Sequence, residues 1–521
     1  MNYIKTVFFS LLWILSLQLR AQREPATAVI DCYIGDARPD DSLRLQVWYE
    51  NLSSRGFRDI PSRWFISANK KGSFRFTVDS LSHPVYFSLS KDRNTVISGY
   101  CTFISNCLLE PGDDIHIRFD SLPPVHTHFF EFKEDVLMGY RFVHPVFSGR
   151  GSAKTAFEFQ LDSATMHWIQ KNVSQQGPLL PDKPGPAYYA MLPALLEKGL
   201  RTNEDILEFQ LRLLDSYKTK MSPTAWQIIK VNVIGSRESI AISQFAGLRN
   251  APWHDSTVSD DYKKAFEDSL RRIYDNRTSV DISAIPENLL LYSTGYIGYI
   301  ADQASSLQKD KYFWLVQRYK GVLRDRLITD FLLKSMFYTK NSNEIITDAV
   351  TIVKDPFCTP IVTKLYNTQS IGKEAYNFSL PDQDGKTVQL SDFKGKIVFI
   401  DLWYTGCGAC AGFYKYQLSR VETHYKNNPN VVFITISIDT NRERWLKSLM
   451  EKTYSTPDEA NVVNLYTAGQ GTDHPLISTY NVRGYPHPFM IDRQGKIYRI
   501  NNLQTYAEEL IPIIDEAIAK K

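Results

Sequence analysis

The stretch Lys396–Asp439, KIVFIDLWYTGCGACAGFYKYQLSRVETHYKNNPNVVFITISID, decides the fold of the C-terminal part of this chain. It opens and closes on nearly continuous apolar runs, KIVFIDLWY (Lys396–Tyr404) and NVVFITISID (Asn430–Asp439), the pattern of central strands covered on both faces. Between them Cys410, Phe413, Gln417, Leu418, Val421 and Tyr425 recur at three- and four-residue steps, which predicts an amphipathic helix. Strand, helix and strand in that order predict a right-handed βαβ unit with parallel strands. In such a unit Cys407 falls at the helix N-terminus and Cys410 one turn inside.

Three chemistries compete for a CxxC in that position. A structural zinc site needs four ligands, and the other cysteines, Cys32, Cys101, Cys107 and Cys358, are isolated and far away in sequence. A purely structural disulfide closes a very small ring and gains little loop entropy. A redox dithiol fits best. Unpaired N–H groups and the helix dipole favour an anion at Cys407, so its thiol is expected to ionise below the free value of about 8.5. Cys410 lies on the same helical face and can resolve a mixed disulfide.

Working outward, the segment downstream reads as helices at RERWLKSLMEK and PLISTYNV and a hairpin at PFMIDRQGKIYRI turning at Arg493, Gln494 and Gly495. A last helix, TYAEELIPIIDEAI, has capping-box spacing between Thr505 and Glu508. Upstream, residues 133–370 carry helical periodicity, with Ile206, Phe209, Leu213 and Tyr217 on one stripe. Residues 22–132 alternate with period two between turn residues and predict an antiparallel β-domain, its clearest hairpin turning at Pro111-Gly112.

A length of 521 residues implies several domains. Basic and acidic side chains nearly balance, 60 against 57, so no electrostatic footprint for nucleic acid arises. Lys5 followed by the eleven-residue apolar run Val7–Leu17 predicts a signal segment over residues 1–21, and the run is shorter than the roughly 20 residues of a membrane-spanning helix. Export would place the CxxC outside the reducing cytosol. Six cysteines in the whole chain are too few for a disulfide-built scaffold, and Cys32, Cys101, Cys107 and Cys358 are expected as buried free thiols.

AYNFSLPDQDGKTVQLSDFKGKIVFIDLWYTGCGAC (Ala375–Cys410) followed by YNVRGYPHPFMIDRQGKI (Tyr480–Ile497) resembles the TlpA/ResA-type thiol-disulfide oxidoreductases of the bacterial envelope, over about residues 371–521. The resemblance implies a multidomain chain with a C-terminal α/β thioredoxin-like fold at 371–521, after the helical middle domain (133–370) and the N-terminal antiparallel β-domain (22–132). It implies that Cys407 attacks, that Cys410 resolves, and that Pro486 is the cis-proline facing them. Trp403, Tyr485 and Pro486 become the partner-binding residues. It further implies a protein-disulfide oxidoreductase, most simply a reductase, with no metal or organic cofactor. Its partners would be envelope proteins with thiols or disulfides and a membrane electron donor, with no stable membrane span after signal cleavage.

Asp401, six residues before Cys407, matches the buried acid of thioredoxins. It has two open readings, a proton acceptor for Cys410 or a merely hydrogen-bonded strand-end acid. Departures from the family pattern are Phe413, where a Glu often stands, and His487-Pro488 after the cis-proline. His487 is either a cation beside the dithiol or an exposed loop residue. A peroxidase reading fails on position, because Tyr404 stands where the peroxide-binding Thr would be. A binding protein that keeps the fold only as a scaffold is the reading from a different class.

Overall fold

The computed structural model describes residues 26–49, 62–92, 100–121, 145–173, 181, 184–253, 255–282, 284–307 and 310–520. The expected signal segment 1–21 lies outside them. Contacts divide the chain into two compact units, one holding the N-terminal sheets and the helices as far as Tyr299, the other running from Ile300 to the C-terminus.

The first unit begins with eight strands: β1 (Ala26–Ile34), β2 (Ser42–Trp48), β3 (Ser62–Ala68), β4 (Ser73–Leu81), β5 (Val85–Asp92), β6 (Tyr100–Leu109), β7 (Asp114–Phe119) and β8 (Val146–Ser148). They form two four-stranded sheets, in the orders β4-β1-β7-β8 and β3-β2-β5-β6. Alternation supplies the core between them: Ala28, Ile30, Cys32 and Ile34 of β1 meet Leu43, Leu45 and Val47 of β2 and Phe87 and Leu89 of β5.

Two expectations are corrected here. The sheet is not wholly antiparallel, because β1 and β7 run parallel, Val29 opposite Asp114 through Ile34 opposite Phe119. Pro111-Gly112 is not a hairpin turn but a corner that carries the chain from β6 in one sheet to β7 in the other. Both strands alternate so as to face one core, which alternation alone cannot distinguish from a ladder. The corner is held by Asp113, whose carboxylate accepts the Glu110 N–H at 2.7 Å and pairs with the buried Lys154 ammonium at 2.7 Å. Lys154 also reaches Glu110 at 3.3 Å.

The outer face of the second sheet, with Trp48, Tyr86 and Leu108, is covered by Phe157, Leu207, Leu214 and Ile228 from the helices Ser152–Asn172, Pro186–Asp215 and Pro223–Arg249. This burial on both faces explains why β2 ends in four consecutive buried residues. The helices expected as one middle domain therefore divide between the two units.

In the second unit the helices Gly321–Ser335, Ser342–Ile352 and Cys358–Gln369 attach to the domain that follows them. Asn481 Nδ2 donates to the Leu333 carbonyl at 2.7 Å, Asn501 Nδ2 to Ser342 Oγ at 2.9 Å, and Gln369 Nε2 to the Tyr480 carbonyl at 3.2 Å. A boundary at residue 370 thus cuts a bonded surface.

After a small two-stranded ladder of β9 (Ser379–Pro381) and β10 (Thr387–Gln389), the domain is built on β11 (Ile397–Trp403), β12 (Val431–Ser437), β13 (Val462–Tyr466), β14 (Phe489–Ile491) and β15 (Ile497–Arg499), in sheet order β13-β12-β11-β14-β15. β11, β12 and β13 are parallel, and β14 runs antiparallel to β11. Every residue of β11 and β12 is buried, as the continuous apolar runs predict. The C-terminal helix Ala507–Ala519 packs on one face through Leu510, Ile514 and Ala517. Its predicted capping box does not form: Tyr506 is the N-cap, and the Thr505 hydroxyl bonds the Glu509 carboxylate instead.

The corner in the first unit offers a stability test. Lys154→Met removes the charge that compensates two buried carboxylates while keeping the apolar stem, and should cost about 3 kcal/mol in the denaturant transition of that unit. A loss below about 1 kcal/mol would show that the pairs do not hold the corner.

Candidate active site

β11 delivers the dithiol. Beyond Trp403 the chain turns through Tyr404, Thr405 and Gly406, and Cys407 becomes the N-cap of the helix Gly408–Phe413. Cys407 and Cys410 form a disulfide with a Cα–Cα distance of 5.3 Å, and the Cys410 N–H donates to Cys407 Sγ at 3.1 Å. Both cysteines are nearly covered, 4% and 2% exposed, while Gly408 and Ala409 between them are exposed.

The turn before Cys407 is fixed from three sides. Thr405 donates through N–H at 3.1 Å and through its hydroxyl at 2.8 Å to Asp439. Gly406 donates its N–H to Tyr454 Oη at 2.8 Å, and Arg444 donates to the Thr405 carbonyl at 3.1 Å. Gly406 has φ +97°, a conformation that favours glycine. Asp439 had a readable signal, because the parallel register pairs Trp403 with Ser437 and so sets Thr405 level with Asp439. Tyr454 and Arg444 had none.

The second wall comes from β14. The Tyr485–Pro486 peptide is cis, and the Tyr485 carbonyl lies 3.9 Å from Cys407 Sγ. The His487 N–H donates to Asp401 Oδ1 at 3.0 Å and to the Leu402 carbonyl at 3.2 Å, and Gln504 donates to the Pro486 carbonyl. Through these bonds the cis-Pro486 loop is tied to Asp401 on one side and lies against Cys407 on the other. Burial pushes the Asp401 carboxyl up to about 8, against the opposing pull of hydrogen bonds from the His487 and Leu402 backbone.

Two expectations change. His487 is neither a cation nor an exposed loop residue: it is buried, stacked on Phe337 at 4.2 Å between centroids, and burial lowers its imidazole to about 3, so the ring is neutral. Trp403 offers no surface to a partner. It is 1% exposed and stacks on Tyr454 at 4.8 Å, supporting the turn from beneath. Tyr485 is half-buried and meets Tyr404 edge to face at 5.5 Å, and this pair packs partly exposed against the cluster that holds Cys407 and Cys410.

A parallel-centred sheet with a CxxC at a helix N-cap, a cis-proline loop across from it and a buried acid behind it defines a thioredoxin-like dithiol domain. Residues 370–518 match the Redoxin family. The chain is 28% identical over 131 residues to the thiol-disulfide oxidoreductase ResA of Bacillus subtilis, and 33% identical over 127 residues to that of Bacillus thuringiensis. These matches cover 25% and 24% of this chain and 66% of each relative, just under two thirds of the curated relatives' length. The thioredoxin domain of a thiol-disulfide oxidoreductase from Bacteroides vulgatus is 27% identical, with 29% of this chain and 98% of that one covered and a TM-score of 0.24. The family match lies in the C-terminal segment, residues 370–518.

Asp401 makes stability depend on pH in a defined direction. An unfolded Asp titrates near 3.9, so between about pH 4 and pH 8 the folded protein holds the extra proton and stability falls as pH rises. Asp401→Asn keeps the acceptor for His487 and removes the ionisation. It should match the parent at pH 4 and exceed it by up to about 5 kcal/mol at pH 8 in chemical denaturation. A variant weaker than the parent at pH 8 would contradict the assignment.

Proposed function

We propose that this protein exchanges disulfides with protein partners in the cell envelope, and that it acts as a reductase. The observation that carries this reading is the Cys407–Cys410 pair at a helix N-terminus, with the cis-proline loop across from Cys407 and the buried Asp401 carboxyl bonded to the residue after that proline. In the reduced protein the Cys410 N–H that now reaches Cys407 Sγ stabilises a thiolate there. Cys407 Sγ attacks a partner disulfide, forming a mixed disulfide and releasing one partner thiolate. Cys410 then loses its proton to Asp401 and attacks Cys407 Sγ. The Cys407–Cys410 bond forms, the bond to the partner breaks, and the partner leaves reduced by two electrons. A dithiol donor, for which a membrane protein is the natural source, returns those electrons.

The envelope location rests on the N-terminal signal pattern. Among the described residues no helix is long and apolar enough to cross a membrane. Residues 22–370 carry no catalytic pattern and are read as the part that selects or positions a partner. Tyr404 and Tyr485 are the partner-facing side chains of the dithiol, next to the buried Pro486. The low exposure of Cys407 favours a second reading, in which the domain is retained for binding alone.

Insulin reduction by the full-length protein separates the two. Cys407→Ser should abolish turnover, a loss of at least about a hundredfold. Cys410→Ser should accumulate partners disulfide-linked at Cys407, identifiable by mass spectrometry from envelope extracts. Unchanged turnover in Cys407→Ser would overturn the exchange mechanism, and an empty trap would move the reading to a scaffold.

A further inference from the structure

The helix that carries the dithiol is not regular. Gly408–Phe413 is α-helical, Tyr414–Leu418 forms a π-turn, and Ser419–His424 is α-helical again. A π-turn accommodates one residue more than an α-turn, and such turns are frequent at functional sites. Its effect here falls on Glu422. At about 100° per residue, the twelve positions from Cys410 to Glu422 in a regular helix would set the two side chains about 120° apart. Removing one residue's rotation leaves about 20°. The π-turn therefore brings a carboxyl onto the buried face that carries Cys410.

Glu422 is 1% exposed, and neither of its carboxyl oxygens has a hydrogen-bond partner among the described residues. The charged groups that act on it there are both acidic, Asp401 from β11 and Glu459 from the segment before β13. Tyr414 of the π-turn lies within its field. Lys426 pairs with Glu459 at 3.0 Å, on side chains half open to solvent in the case of the lysine. Asn461 Nδ2 donates to the Glu422 backbone carbonyl at 3.1 Å, not to its carboxyl. Burial, then the charge of Asp401, hold the Glu422 carboxyl up to about 8.

We propose that Glu422 and Asp401 form one buried carboxyl pair behind the dithiol, in which Glu422 is the positioning residue that governs when Asp401 can take the Cys410 proton. This rests on the exchange reading above. Two like charges in one apolar volume do not ionise together, so the pair loses its protons in two steps. While Glu422 stays neutral, Asp401 ionises and is the base that receives the proton of the Cys410 thiol. Cys410 Sγ bonds to Cys407 Sγ, the mixed disulfide breaks, and the departing partner thiolate is protonated by water. When a dithiol donor reopens the disulfide, the proton on Asp401 returns to Cys410. Once Glu422 is charged, it opposes the charge on both Asp401 and a Cys410 thiolate, which ends the favourable pH range.

The test uses full-length protein in the oxidised state, with carboxyl protonation followed by infrared difference spectroscopy from pH 5 to 10, and the pH–rate profile of insulin reduction on the same samples. The parent should show two coupled carboxyl ionisations in addition to that of the buried Glu158 in the first unit, which burial also raises to about 8 and which Glu158→Gln removes from the difference spectrum. Asp401→Asn should lower the Glu422 midpoint by about one unit, and Glu422→Gln should remove one of the coupled pair and one of the two inflections of the rate profile. A role in packing alone would leave the profile unmoved. An unchanged Glu422 midpoint in Asp401→Asn, or two inflections persisting in Glu422→Gln, overturns the proposal. Should Glu422→Gln fail to fold, the Glu422 midpoint in Asp401→Asn decides alone. Coupled ionisation without any Cys407-dependent insulin reduction supports the carboxyl pair and refutes the exchange reading.

Discussion

The hydrogen bond from the His487 N–H to Asp401 ties together the parts on which the site depends. It follows from sheet register. β14 pairs with β11 antiparallel, Phe489 opposite Ile400, and continuing that ladder by two residues sets His487 opposite Leu402, where its N–H also reaches the Leu402 carbonyl. The residues just before His487 are the cis-proline loop, so the same register carries the Tyr485 carbonyl to Cys407 Sγ. A slip of one residue would reverse every side chain of β14 and remove the loop from the dithiol. Asp401 is consequently more than a strand residue facing inward. It is the point where the strand that delivers the cysteines and the strand that delivers their opposing wall are joined.

The wall is braced from outside the thioredoxin-like segment. Phe337, from the short 3₁₀ turn Met336–Tyr338, stacks on the neutral His487 ring, and Asn481 and Asn501 bond the same stretch of chain. A charged imidazole there would be costly to bury, and the ring's very low proton affinity removes that cost. The helices after Ile300 thus limit the freedom of the cis-proline loop, which links the otherwise unassigned part of the second unit to the geometry of the site.

Sequence reading captured the elements whose signals are local. The buried runs of β11 and β12, the N-cap position of Cys407 and the order of the motifs all follow from spacing and hydrophobic pattern. It failed where the deciding partner is remote in sequence. Alternation showed that β6 and β7 each bury one face but could not show that they belong to different sheets. His487 was ambiguous because Phe337 lies 150 residues away, and Trp403 became support rather than surface because Tyr454 covers it. Glu422 was hidden for a different reason. On a regular helix it lies off the face of Cys410, and a π-turn has no sequence signature of its own.

Two ways of burying an acid coexist in this chain. Around Lys154 in the first unit, Glu110 and Asp113 share one fully buried ammonium, while Glu158 beside them accepts the Leu108 N–H at 2.9 Å and is still pushed up by burial to about 8. Removing charge from that cluster would leave a partner uncompensated, so the arrangement fixes geometry. Behind the dithiol, Asp401 and Glu422 are buried as deeply with no cation acting on either. Compensation was available to this chain and was not used there. An acid without a counter-charge exists in a folded interior only by keeping its proton near neutrality, and it does so at the expense of stability as pH rises. Such a group is suited to exchanging a proton with a nearby thiol, and Cys410 lies on the helical face that carries Glu422.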